Sequence, residues 1–177
     1  MLIGLPFGLL LGHFKKLDAF ISPIIYILSP VPKISLLPLI LLAFGIGNFS
    51  KVFMIFLVIV FQAVVVTRDA VKEIPKEFFQ PFIVAGAGKA CLFRNIVLPA
   101  SIPAVFTSLR ISLGTGISVL FFTETFGTTW GLGYYIMDMW VRLDYRQMYL
   151  GIFTIGILGL LCASAIDFAE KKLCPWK

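Results

Sequence analysis

Arg110 and Glu124 are the two ionisable side chains in the run from Ile102 to Thr125, which is otherwise apolar, small or hydroxylated. Charges inside a run of membrane length tend to face a bundle interior or a cavity and to mark a solute path. The two stand fourteen positions apart, roughly 21 Å along a straight helix at about 1.5 Å per residue, so one helix cannot pair them directly. Arg110 and Glu124 are therefore path candidates. The competing reading is interfacial, with Glu124 near the end of its run meeting water or Arg142, and Arg110 reaching toward the other surface. The remaining chemistry-bearing residues are sparse. Cys91, Cys162 and Cys174 form no CxxC and no disulfide framework. His13 has no carboxylate or thiol close in sequence, and a metal site needs several converging ligands. It reads as an interfacial histidine at a helix end.

The elements that carry these residues are membrane spans. The chain has 177 residues, of which 59% are hydrophobic and 14% charged. Its mean hydropathy is +0.99. Soluble domains are nearer half apolar and a quarter charged, so this is an integral membrane protein. The net charge of +6 forms no basic stripe interleaved with aromatics, which argues against nucleic acid as a partner. A span needs about 20 mainly apolar residues. Phe49 to Thr67 nearly meets this, with Lys51 free to snorkel; Ile102 to Thr125 and Gln147 to Ile166 meet it. Ser35 to Gly47 crosses only if Ile24 to Ile34 extends it, and Pro30, Pro32 and Pro38 make that span broken or kinked. The opening stretch 1–12 covers roughly 18 Å, too little to span. It lacks the basic start and cleavage site of a signal peptide. Gly4, Gly8 and Gly12 give it one small-residue face for close packing. It reads as the inner end of a spanning helix that begins before this sequence, so that a truncated chain is expected.

Basic residues set the orientation. Lys15, Lys16, Arg68, Lys72, Lys76, Lys89, Arg94, Lys171, Lys172 and Lys177 fall on one side; Lys51, Arg142 and Arg146 fall on the other. This predicts a cytoplasmic C-terminus and an outer loop from Gly127 to Arg146, whose Trp130, Tyr134, Tyr135 and Trp140 suit an aromatic belt. The largest cytoplasmic loop then runs over 75–99. Pro75 can start a helix, and Phe78, Phe79, Phe82 and Ile83 share a face. The stretch 85–88 supplies a turn, and a second short helix runs from Lys89 to Leu98, ending at Pro99. Such a face suits a lipid surface or a soluble partner.

Gly86, nine further residues and then Ile96-Val97-Leu98-Pro99 resemble the back half of the EAA loop of permease subunits in binding-protein-dependent ABC importers. The stretches "LSPVPKISLLPLILLAFGIGNFSK", "LPASIPAVFTSLRISLG" and "WGLGYYIMD" are also similar to that family, most of all to its nitrate, sulfonate and taurine branch. The resemblance runs from Gly4 to Trp176. It implies an all-α polytopic bundle of the type I importer permease kind. About four complete spans, a partial first one and a two-helix coupling loop are expected, in one transmembrane domain over 1–177. It implies no enzyme activity and no cofactor in this chain, ATP and Mg being bound by partner ATPase subunits. The implied partners are two cytoplasmic ABC ATPases, an extracytoplasmic substrate-binding protein, a second permease copy as a homodimer, and membrane lipid. The implied location is the prokaryotic inner membrane. The implied function is ATP-coupled uptake of a small anionic or sulfonate-like solute. Phe78, Phe79, Gln80, Phe82, Ile83, Gly86, Lys89, Ile96, Leu98 and Pro99 become the ATPase-coupling residues, and Glu124 falls where the family often has a carboxylate before its Gly-Leu-Gly. One departure stands out. Gln80-Pro81-Phe82 occupies the EAA place, removing the carboxylate and putting a proline in what is expected to be helix interior. Two alternatives stand beside this function: an ATP-independent secondary transporter, and an assembly-only or non-functional truncated membrane protein.

Overall fold

The computed structural model describes residues 1, 3–126 and 128–175. Among the described residues every regular element is helical: α1 (Gly4–His13), α2 (Lys15–Leu28), α3 (Leu37–Phe44), α4 (Asn48–Lys72), α5 (Gln80–Val84), α6 (Lys89–Leu92), α7 (Leu98–Glu124), α8 (Leu132–Val141) and α9 (Tyr145–Leu173). A π-turn over Phe93–Val97 joins α6 to α7. Three stretches are long and apolar enough to cross a membrane: Asn48–Lys72, Lys89–Glu124 and Tyr145–Leu173. A fourth is reached if α2 and Lys33–Phe44 form one broken span. The break follows from the sequence: Pro30 and Pro32 lie within it, and Pro38 sits in the first turn of α3, where its missing N–H is harmless.

The described chain forms two compact units. The first comprises Met1–Val31, Val60–Leu109 and Ala169–Lys177. Here α1 lies directly on the backbone of α4. A Cβ on Gly8 would sit 2.7 Å from the Val64 carbonyl oxygen and 2.9 Å from Thr67 Cβ, so this contact requires glycine. Gly4 and Gly12 press on the same helix, and the small-residue face read from the sequence is thus real. Leu11, Ile25 and Val64 form the apolar core beside it. The unit also holds a polar network invisible in the spacing. Arg68, buried on α4, donates to Asp18 on α2 and to the Tyr26 hydroxyl at 3.0 Å. Lys72 pairs with the other Asp18 oxygen. Arg68 and Lys72 occupy the last turns of α4. A buried charge needs a partner, and Asp18 supplies it.

The second unit comprises Pro32–Ile59 and Arg110–Phe168. Leu37, Ile40, Met54 and Val119 form its core. Phe44 and Phe49 pack with centroids 5.1 Å apart across the turn that separates α3 from α4. The stretch expected as an outer loop contains α8, which buries Gly133 and Ile136. Gly151 of α9 lies against Ile136 and Tyr135, and Gly159 approaches Ile117. A Cβ added to Gly156, by contrast, would meet nothing within 4 Å. The rest of α9 shows Leu150, Phe153, Ile157 and Leu161 on its surface.

Candidate functional site

The 75–99 segment departs from a plain pair of helices at both ends. Pro75 precedes a single 3-10 turn over Lys76–Phe78 and does not open a helix. The helix starts at Gln80, so Pro81 falls in the first turn of α5. A proline there has no intrahelical N–H to lose, and the expected interior penalty is absent. After Val84 the chain turns in a Schellman arrangement: Gly86 N–H donates to Ile83 O at 3.0 Å and Ala87 N–H to Phe82 O at 2.9 Å. Gly86 takes φ +77°, the left-handed conformation that favours glycine. A Cβ there would meet nothing within 4 Å, so in this chain Gly86 serves the turn and no close backbone approach.

The second loop helix does not end at Pro99. It runs from α6 through the π-turn into α7, and Lys89–Glu124 is one apolar stretch of 36 residues. The widened turn over Phe93–Val97 provides the reason. It ends directly before Leu98, and Pro99 then lies in the first turn of the next regular helix. A π-turn relieves the clash between a proline ring and the preceding carbonyls.

The residues expected to form one outward face are divided. Phe78, Phe82, Ile96 and Pro99 line a cavity of about 600 Å³ with Ile74 and Pro103. Phe79 is half-buried. Ile83, 58% exposed, and Val84, 89% exposed, are not among the residues lining that cavity. Val84 was not among the expected contact residues because it is off the four-residue spacing that linked Phe79 to Ile83. Gln80 and Leu98 are exposed. Lys89 lines a different cavity, with His13, Phe14, Lys15 and Lys16. His13 is the last residue of α1 and its ring meets Phe93 edge-on, centroids 5.2 Å apart.

Arg110 and Glu124 each have a partner in the second unit. The Arg110 guanidinium donates to Asp167 of α9 at 2.6 Å. Glu124 is 7% exposed and accepts from the Gly133 N–H at 2.8 Å, capping the first turn of α8. A carboxylate at a helix N-terminus is favoured by the exposed N–H groups there. The Lys51 ammonium lies 3.9 Å from the other Glu124 oxygen and 4.3 Å from the Trp130 ring centre. Lys51 is 6% exposed, so it does not snorkel to the surface as its place near a span end suggested. Arg142 pairs with Asp138 at 3.0 Å, not with Glu124. The Gly-Leu-Gly after Glu124 is fitted to it: added Cβ atoms at Gly131 and at Gly133 would collide with the Glu124 side chain.

The architecture is that of a multi-helix membrane protein with an exposed apolar tip on a short helical loop. The family described as binding-protein-dependent transport system inner membrane component matches residues 4–175. The chain belongs to this family. Similar proteins include a probable ABC transporter permease protein of Brucella abortus strain 2308, 28% identical over 175 residues, covering 99% of this chain and 70% of the relative. The taurine transport system permease protein of Escherichia coli strain K12 is 31% identical over 176 residues, covering 99% of this chain and 64% of that protein. The nitrate import permease protein of a Synechocystis strain is 28% identical over 173 residues, with coverages of 98% and 63%. This permease is a multi-pass inner-membrane protein and not an enzyme. Membership in the family implies an ATPase and a substrate-binding protein as partners.

Proposed function

We propose that the permease couples ATP hydrolysis by its partner ATPases to uptake of a small oxyanion or sulfonate, and that the 75–99 segment is the cytoplasmic handle they grip. The observation that carries this is the Ile83–Val84 tip: two exposed aliphatic residues at the end of a short helix, closed by a glycine turn, outside every membrane-length stretch. An apolar tip of this kind fits a groove on a soluble partner. The taurine and nitrate named for two relatives support the solute class. Arg110 and Glu124, each held by a partner within the chain, brace the bundle in this reading and do not bind solute. A second permease copy completes the path, and the exposed apolar surface of α9 is open to that copy or to lipid. The C-terminus lies in the cytoplasm, as the basic-residue asymmetry requires. The test is co-purification of the ATPase with membranes carrying variants. Val84→Asp weakens association about 30-fold or more, as charging a contact hot spot does. Gly86→Trp, which strains the left-handed turn, weakens it too, while both variants insert normally. Unchanged ATPase recovery with both variants would show that this segment is not the handle.

A further inference from the structure

Beside the junction of α1 and α2 lies a cavity of about 400 Å³ lined by His13, Phe14, Lys15, Lys16 and Lys89. Among the described residues no carboxylate lines it. Lys15 and Lys16 occupy the first turn of α2, and Lys89 opens α6. Helix N-termini carry partial positive charge, so all three ammonium groups stand where the backbone field disfavours them. Asp18, the acidic residue of the same turn of α2, is engaged by Arg68 and Lys72. Among the described residues Lys15, Lys16 and Lys89 have no ion-pair partner. Burial and the Lys89 ammonium together lower the pKa of His13, past the end of the apolar stretch of α1. Among the described residues no ion pair compensates this crowding of positive charge. Phe14 of the lining is apolar and exposed, and so are Leu10 of α1 and Leu17 and Phe20 of α2, the two helices that meet at this junction.

We propose that this cavity binds the phosphate of an anionic glycerophospholipid, with Lys15, Lys16 and Lys89 around the headgroup and the neighbouring apolar side chains against the acyl chains. A free phosphate would use the lysines but not the apolar skin. A phospholipid uses both, and basic pockets between membrane helices hold anionic headgroups by this means. The consequence is a tie between the bilayer surface and Lys89, which follows the Gly86 turn directly. The inference rests on the membrane location of the chain and not on the ATPase-handle reading.

The full chain is purified in neutral detergent, and binding of phosphatidylglycerol carrying a fluorescent acyl tag is compared with that of phosphatidylcholine carrying the same tag. Phosphatidylglycerol binds at least about tenfold more tightly. Lys15→Gln/Lys16→Gln weakens it by about fivefold per lysine, about 25-fold for the pair, while Lys15→Arg/Lys16→Arg keeps it within about twofold. Equal binding of the two lipids by the native chain overturns the proposal without any variant. So does undiminished phosphatidylglycerol binding by the glutamine pair. Displacement of the lipid by inorganic phosphate as readily as by short-chain phosphatidylglycerol assigns the cavity to free phosphate and overturns the lipid reading.

Discussion

Replacing Glu124 with alanine is expected to be among the most destabilising single changes in the second unit. The substitution strands the Lys51 ammonium, 6% exposed, with its centre 4.3 Å from that of the Trp130 ring. Removing one member of a buried pair costs about 3–5 kcal/mol, and a cation over an aromatic face recovers about 1 kcal/mol of that. The Gly133 N–H loses its charged acceptor as well, for about 1.5–3 kcal/mol. Because the pair sits at 3.9 Å, beyond hydrogen-bond reach, the lower end of the first range applies. The net loss is about 4 kcal/mol. At about 2–4 °C per kcal/mol this lowers the melting temperature of the detergent-solubilised chain by about 10 °C. Lys51→Met is milder, about 2 kcal/mol, since Glu124 keeps the α8 N-terminus. The double variant Lys51→Met/Glu124→Ala removes the stranded charge and therefore melts above Glu124→Ala alone. A thermal melt followed by loss of monodisperse protein reads all three. Melting of Glu124→Ala within about 2 °C of the native chain, or a double variant that melts at or below Glu124→Ala, would refute the buried-pair argument.

Gly8→Leu drives a side chain into the Val64 carbonyl and Thr67 and is expected to destabilise by about 3 kcal/mol or more, whereas Gly156→Leu on α9 meets open space and leaves the melting temperature unchanged or raised; equal melting of the two would contradict the α1–α4 contact. Impermeant thiol labelling of intact cells is expected to miss Cys91, which is exposed, and to modify a cysteine introduced at Leu143, also exposed. The buried Cys174 is uninformative for this purpose, and a cysteine at Gly133 would clash with Phe121 O. Labelling of Cys91 in sealed cells would reverse the orientation.

Features that depend on local spacing are legible in the sequence. The apolar runs marked the three long spans, and glycines four apart marked the face of α1 that meets α4. The spacing from Gly86 to Pro99 pointed to the family. The boundaries of the loop helices were less legible, because a π-turn over Phe93–Val97 lets the helix continue through Pro99, and nothing in the proline itself announces that. Helix α8 was hidden because Trp130, Tyr134, Tyr135 and Trp140 also satisfy the composition of an aromatic belt. The charged pairs were the least visible. Asp18 meets Arg68 across 50 positions and Arg110 meets Asp167 across 57, separations with no periodic signature. Lys51 and Glu124 each looked like charges at the ends of separate spans, and only the packing of α4, α7 and α8 shows them to be one buried cluster.

The central claim, ATP-driven uptake through this permease, is tested most directly by transport into liposomes holding the permease, its ATPase partner and, on the opposite side, the substrate-binding protein. The account predicts that a radiolabelled small sulfonate or oxyanion accumulates only when ATP is present on the ATPase side, and that Val84→Asp abolishes accumulation while the protein remains inserted. Accumulation driven by an ion gradient with no ATP, at the same rate in the native and Val84→Asp proteins, would contradict it.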